Sequence, residues 1–121
     1  MSLFRRGADR VTVDEAHRRT QGADAQAALL DVREQLEWKA GRAPGAVHAP
    51  LFRLVAGDAL PSEDQARPLV VICRSGHCSQ QAAELLAARG ADAVDVKGGM
   101  QAWAAAGNPA VDEHGNNGSI A

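Results

Sequence analysis

The chain has 121 residues, 45% of them hydrophobic, and a formal net charge of −2 at pH 7. This length predicts one domain that buries roughly two thirds of its unfolded surface and needs neither a disulfide nor a metal to fold. The charge gives no reason to expect nucleic acid or an anionic membrane as a partner, and no run approaches the roughly 18 apolar residues of a membrane-spanning helix.

Apolar runs and helical patterns alternate along the N-terminal half of the chain. Short runs rich in Val, Leu and Ala predict strands at residues 10–13, 27–32 and 46–49. A helical pattern follows each strand, at residues 15–20, 34–39 and 51–56. Thr12 or Asp14 is a suitable N-cap for the first helix, and Gly41 ends the second.

The C-terminal half continues this alternation around Cys73. A buried strand is predicted at residues 68–72, a polar loop at 74–79, a helix at 80–89, a strand at 93–96 and a helix at 100–106. We expect an N-terminal arm over residues 1–9, one domain over 10–108 and a flexible C-terminal tail over 109–121. The alternation predicts an α/β fold whose parallel sheet binds ligands at the carboxyl ends of its strands.

Cys73 is the first candidate for a reactive residue. A thiol between a buried strand and a helix N-terminus lies among backbone N–H groups and near the positive end of the helix dipole. Both favour the thiolate, which is the reactive form of cysteine. Cysteine is also a common core residue, but the loop that follows Cys73 begins with four residues that are not apolar (RSGH). The sequence therefore predicts a nucleophilic cysteine in an anion-binding loop.

The cysteines and the N-terminus bear on the cellular compartment. Cys73 and Cys78 are the two cysteines of the chain and lie five positions apart, a poor framework for a disulfide-stapled secreted domain. Residues 1–6 are not followed by the apolar segment of a signal peptide. We therefore expect a reducing, cytoplasmic environment, and the oligomeric state stays open.

Four segments together resemble the single-domain rhodaneses, a family of sulfurtransferases. They are residues 29–34 (LLDVRE), 44–50 (PGAVHAP), 70–76 (VVICRSG) and 96–103 (VKGGMQAW). Each segment alone is a weak signal, whereas their order and spacing together are specific. The resemblance implies a rhodanese-like three-layer sandwich, in which a five-stranded parallel sheet carries helices on both faces.

The resemblance also implies a reaction in two steps that needs no cofactor. Cys73 takes a sulfane sulfur from thiosulfate or a low-molecular-weight persulfide, and a thiol, cyanide or an acceptor protein then removes it from the Cys73 persulfide. Nucleic acid and membranes are not expected as partners. Mercaptopyruvate is the least expected donor, since sulfurtransferases that use it usually have two domains.

The expected site consists of Cys73 as the catalytic residue and the loop that follows it, whose backbone N–H groups would hold the terminal sulfur of the persulfide. The loop residues are Arg74, Ser75, Gly76, His77, Cys78 and Ser79. Gly76 lets the backbone curl without a Cβ clash, and Ser79 is expected to be the N-cap of the following helix. Arg74 carries a charge that attracts an anionic donor, and His77 either does likewise or stays neutral.

Residues outside the loop are expected to support the site. From the family likeness, Asp31 and Arg33 are expected in a structural ion-pair network with Glu34 or Glu37. His48 is expected to be a hydrogen-bonded structural histidine rather than a general base. The two tryptophans are expected to be core anchors; they are Trp38 and Trp103.

Cys78 departs from the family pattern, because many members with this type of loop carry arginine at its position. The loop therefore loses one cation, which weakens the expected affinity for a doubly charged donor, and gains a second thiol. That thiol is either a bystander or a resolving cysteine that attacks the Cys73 persulfide or sulfenate to form a disulfide. Attack requires a specific approach geometry, which favours the bystander interpretation.

The loop has three alternative interpretations. A cysteine phosphatase would need arginine at the position of Ser79. A zinc site built from Cys73, His77 and Cys78 with His48 or His114 lacks the usual ligand spacing. A non-catalytic rhodanese-like binding module is the serious competitor, although inactive members commonly lose the loop cysteine, and Cys73 is present.

Overall fold

Five parallel strands form one sheet in the computed structural model, which describes residues 9–60 and 64–120. The strands are β1 (Arg10–Val11), β2 (Ala28–Asp31), β3 (Val47–His48), β4 (Leu69–Ile72) and β5 (Ala93–Val96). The helices are α1 (Val13–Thr20), α2 (Gln35–Ala40), α3 (Leu51–Val55), α4 (Cys78–Ala88) and α5 (Gly99–Ala105). The strand order β1-β5-β4-β2-β3 places β4 at the centre, and the predicted α/β class is confirmed.

The sheet separates two apolar clusters, which gives the three layers that were expected. Every residue of β2, β4 and β5 is buried, as in parallel sheets covered on both faces. One cluster joins the sheet to α3 and α4 through Leu54 and Leu86. The other joins it to α1 and α5 through Ala16 and Trp103. No helix within the described residues is long and apolar enough to cross a bilayer.

Strand alternation decides which polar side chains share a face with Cys73. Successive residues of a strand point to opposite faces, and Val71 and Cys73 belong to the cluster on the α4 side. Asp95 is in register with Val71 and also with Arg10, so Asp95 points to that same side. Asp31 is in register with Ile72, which belongs to the opposite cluster.

The end of β1 and the start of α4 differ from the predictions. The first strand stops at Val11 because Thr12 is the N-cap of α1 and its Oγ1 accepts the N–H of Glu15 at 3.2 Å. Helix α4 begins at Cys78, with His77 as its N-cap. The N-cap role predicted for Ser79 is therefore wrong: its hydroxyl is buried in the first turn of the helix.

The two tryptophans occupy different environments. Trp103 is fully buried, and its Nε1 donates a hydrogen bond to the carbonyl of Pro109 at 2.8 Å. Trp38 is only half-buried and stacks on His48, with ring centroids 4.6 Å apart. The prediction of a core anchor is confirmed for Trp103 and wrong for Trp38, because α2 buries none of its residues.

The C-terminal segment packs against the domain over its described residues. Val111 forms bridges with Arg42 and Asn117, and the Ser119 N–H donates to the carbonyl of Ala40 at 2.9 Å. Ile120 packs against the cluster that contains Trp103. Residues 109–120 of the expected C-terminal tail thus make contacts with the domain, and the flexibility of the tail stays a prediction. Residue 121, and residues 1–8 of the expected N-terminal arm, lie outside the described residues.

Candidate active site

Cys73 follows the central strand directly, at the carboxyl edge of the sheet, and is only 3% exposed. Its Sγ accepts a hydrogen bond from the backbone N–H of Gly76 at 3.1 Å. Gly76 has a φ of 103°, and a Cβ there would lie 3.0 Å from the backbone nitrogen of Gly98 and from Nη2 of Arg10. Glycine therefore allows both the turn that aims this N–H at the sulfur and the close approach of the neighbouring loop.

Two backbone hydrogen bonds from the start of α5 hold the first residues of the loop in place. The backbone N–H groups of Met100 and Gln101, in the first turn of α5, donate to the carbonyls of Cys73 at 2.7 Å and Arg74 at 3.0 Å. Gly99 has a φ of 58°, and a Cβ there would overlap the carbonyl oxygen of Cys73. Gly98, the N-cap of α5, and Gly99, its first residue, therefore let that helix end dock onto the reactive loop.

A chain of hydrogen bonds leads from the Cys73 thiol into the sheet. Cys73 Sγ donates to Ser79 Oγ at 3.3 Å, and Ser79 Oγ donates to Asp95 Oδ2 at 3.2 Å. Arg10 donates from Nε and Nη2 to the Asp95 carboxylate, at 3.1 Å in the closest contact. The same Nη2 reaches the carbonyl of Gly76 at 2.9 Å. Four residues from three parts of the chain are thus coupled to the thiol.

Asp95 and Arg10 were not singled out by the sequence analysis. Asp95 is fully buried in β5, between Val94 and Val96. A charge inside an apolar strand has to be paired, and this signal was available in the sequence. Its partner could not be identified there, because β1 and β5 become neighbours only in the folded sheet.

The structure brings the predicted loop residues together in one turn with two distinct sides. The buried side contains Cys73, Gly76 and Ser79. The exposed side contains Arg74, Ser75, His77 and Cys78. Substrate binding by these exposed residues stays a prediction.

Cys78 is a free thiol in an environment that disfavours its ionisation. Burial raises the pKa of Cys78 most, and electrostatic interactions with Cys73, Glu37 and Glu34 raise it further. At neutral pH this thiol is therefore more fully protonated than an ordinary cysteine, and a protonated thiol is a poor nucleophile.

Asp31, Arg33 and His48 form a separate support at the ends of β2 and β3. Arg33 Nη2 donates to Asp31 Oδ2 at 2.8 Å, and both side chains are buried. The ring nitrogen Nε2 of His48 lies 2.8 Å from the carbonyl of Arg33, as expected of a structural histidine. The partners expected for the ion pair do not join it: Glu34 and Glu37 form the capping box of α2 instead.

No group of three or more His, Cys, Asp or Glu side chains within residues 9–60 and 64–120 could hold a metal ion.

The fold and the loop define a class: a parallel α/β domain with a buried cysteine after its central strand, in a glycine-containing loop that leads into a helix. The sequence model of the rhodanese-like domain family matches residues 12–106. The chain belongs to that family, which is related to sulfurtransferase domains.

Similar proteins agree with this assignment. The chain is 36% identical over 76 residues to the adenylyltransferase and sulfurtransferase UBA4 of Yarrowia lipolytica, a match that covers 63% of this chain and 19% of that protein. A rhodanese-related protein of Thermoplasma volcanium is 28% identical with a TM-score of 0.75, over 87% of this chain and 99% of that one. A rhodanese-like domain protein of Staphylococcus aureus is 28% identical with a TM-score of 0.66, over 92% and 99%.

Proposed function

We propose that this domain is a sulfurtransferase that moves a sulfane sulfur from thiosulfate or a low-molecular-weight persulfide to a thiol, cyanide or acceptor protein. The observation that carries the proposal is the Gly76 N–H aimed at Cys73 Sγ from a loop whose other side opens to solvent. Family membership and the sulfurtransferase named among the relatives support it.

The reaction proceeds through two nucleophilic displacements on sulfur. In the first, the Cys73 thiolate attacks the outer sulfur of the donor and forms a new S–S bond. The donor's own bond to that sulfur breaks, and its electron pair leaves with sulfite or with a thiolate. In the second, the acceptor attacks the terminal sulfur of the Cys73 persulfide, and the electron pair of the broken S–S bond restores the Cys73 thiolate.

The loop stabilises charge at the sulfur during both steps. The persulfide is anionic, and the Gly76 N–H that faces Cys73 Sγ is held in place by the fold of the loop. Backbone N–H groups fixed before the reaction stabilise such an anion without reorganisation, as in an oxyanion hole. Cys73 is nearly buried, so these interactions act in surroundings where water screens them less.

The exposed side of the loop, which we call the rim, contains Arg74, Ser75, His77 and Cys78. The rim favours donors of low charge. The position that carries arginine in many relatives holds Cys78, and the charges of Glu34 and Glu37 extend to this position, because they raise the pKa of its thiol. A doubly charged donor meets more repulsion there than a singly charged persulfide. We therefore infer that a singly charged persulfide such as cysteine persulfide is a better donor than thiosulfate.

Peptide mass spectrometry tests the proposal. Trypsin cleaves after Arg74 and separates the two cysteines into peptides 54–74 and 75–89. After incubation with each donor and alkylation, peptide 54–74 should gain the mass of one sulfur atom. The Cys73→Ser variant should gain none, and Cys78→Ser, which leaves Cys73 as the sole thiol, should still gain it.

The alternatives give different masses in the same experiment. A wild-type protein that stays unmodified with every donor would contradict the proposal and favour a non-catalytic binding module. A disulfide between the two peptides would instead indicate a redox switch that uses Cys73 and Cys78, an outcome that the protonated state of Cys78 disfavours.

A further inference from the structure

Asp95 is a buried carboxylate that has no role in the two displacement steps on sulfur described above. Its side chain is fully buried and lies on the face of the sheet that carries Cys73. Two other buried carboxylates, Asp31 and Asp64, pair with arginines close by in the chain. Asp95 pairs with Arg10 and also accepts a hydrogen bond from the Ser79 hydroxyl. The Ser79 hydroxyl is in turn hydrogen-bonded to the reactive sulfur.

The directions of the hydrogen bonds make this chain a path for a proton. Ser79 has a single hydroxyl proton, and it points to Asp95. The Ser79 oxygen is therefore left as an acceptor, and the Cys73 thiol donates to it. Each proton already points toward the atom that would receive it.

We propose that Ser79 relays the Cys73 thiol proton to Asp95, which stores it while Cys73 is a thiolate or a persulfide. The S–H bond of Cys73 and the O–H bond of Ser79 break, and new O–H bonds form on Ser79 and on Asp95 Oδ2. The products are a thiolate, an unchanged serine and a neutral carboxylic acid. Ser79 touches the reacting atom, whereas Asp95 and Arg10 act through it as positioning residues.

This transfer solves an electrostatic problem, and it rests on the sulfurtransferase function proposed above. If the proton left for solvent, the nearly buried site would hold two anions, Cys73 and Asp95, bridged by one serine. Two negative charges this close repel each other strongly in surroundings where water screens them little. Moving the proton to Asp95 keeps one negative charge in the site, opposite the one positive charge of Arg10.

The relay predicts an unusual pH dependence. The thiol with ionised Asp95 and the thiolate with neutral Asp95 contain the same number of protons. The fraction of thiolate therefore does not change with pH while the pair holds one proton. Among residues 9–60 and 64–120, the charged or titratable groups around the loop include Arg10, Arg74, His77, Cys78, Glu34 and Glu37.

The test is the rate at which iodoacetamide alkylates Cys73, followed on peptide 54–74. The reagent is uncharged, forms an S–C bond with the thiolate and releases iodide, so it needs no sulfur transfer. In the wild type we expect the rate to change less than about twofold between about pH 6 and pH 8. In Ser79→Ala and in Asp95→Asn it should rise in proportion to hydroxide, by up to about 100-fold over that range.

Asp64→Asn is the matched control. Asp64 is also buried, with a half-exposed arginine partner, but it lies before β4, at the other end of the strand. This variant should keep the flat profile. Thermal unfolding monitors folding of all variants, and Asp95→Asn, which retains the shape of the side chain, serves if Ser79→Ala does not fold.

Three results would overturn the relay. They are a wild-type rate proportional to hydroxide, a flat profile that survives in both relay variants, and a Cys73 that never reacts in the folded protein. None of them requires a sulfur donor. Flat alkylation in a protein that forms no persulfide would keep the relay and reject the sulfurtransferase function.

Discussion

Two buried carboxylates flank the central strand at its carboxyl end, and they serve different purposes. Asp31 on β2 pairs with Arg33 two residues later, and both side chains are closed off from solvent. Asp95 on β5 pairs with Arg10 from another strand and continues through Ser79 to the thiol. Two features distinguish the structural ion pair from the one that is coupled to the reactive sulfur. They are the distance in sequence between the two partners and the face of the sheet to which the carboxylate points.

The largest expected effect lies on the Asp31 side. Replacing Arg33 by Met leaves a buried carboxylate without its partner, which typically costs about 3–5 kcal/mol. Urea unfolding should show this loss. Cys73 in the molecules that remain folded should keep its pH-independent alkylation, and a pH-dependent rate would contradict the division between the two sides.

The next effect concerns the contact that holds the loop on the Asp95 side. Gly99→Ala places a Cβ against the Cys73 carbonyl at a positive φ, so we expect a loss of about 1–3 kcal/mol and slower persulfide formation. Gly107→Ala is the control, because its φ of 81° is also positive but nothing lies within 4 Å of its Cβ. Equal losses of persulfide formation in both variants would show that the contact with Cys73 is unimportant.

A third prediction concerns the negative charge that Glu34 and Glu37 contribute near Cys78. Helix α2 follows β2 and brings Glu34 and Glu37 within electrostatic reach of Cys78. Cys78→Arg should raise kcat/KM for thiosulfate by about tenfold, or ~1.4 kcal/mol. The effect on the singly charged cysteine persulfide should be smaller, and equal gains for both donors would refute the inference about donor charge.

The smallest effect concerns Cys78 itself. Because its pKa is raised, a smaller fraction of Cys78 is thiolate at neutral pH, and alkylation of peptide 75–89 should be slower in the folded protein than in urea. The difference should narrow as the pH rises and the folded thiol ionises. Glu34→Gln with Glu37→Gln should recover only part of the rate, because burial is the larger cause. Faster alkylation in the folded state would contradict the direction of the shift.

Local patterns predicted much of this fold and the centre of the site. The strand at Ala93–Val96 was placed to the residue, and Cys73 was identified from the strand and loop that enclose it. Asp31 and Arg33 were found as an ion pair because they are neighbours in the chain, although their additional partners were predicted wrongly.

Contacts made across the sheet were not accessible in the same way. The role of Ser79 was mistaken because its hydroxyl bonds to Asp95, a residue from another strand, instead of capping its own helix. The register that aligns Arg10 with Asp95 is set by the packing of both faces of the sheet. The packing of the C-terminal segment likewise depends on Gly41 and Gly118, which approach each other closely only in the folded chain.

Persulfide formation on Cys73, compared between Asp95→Asn and Asp31→Asn over a range of pH, tests the account most directly. With glutathione persulfide as donor, Asp95→Asn should make the rate of sulfur transfer to peptide 54–74 proportional to hydroxide. Asp31→Asn should lower the stability of the fold and leave the rate independent of pH. Identical pH profiles in the two variants, or no sulfur on Cys73 in the wild type, would contradict it.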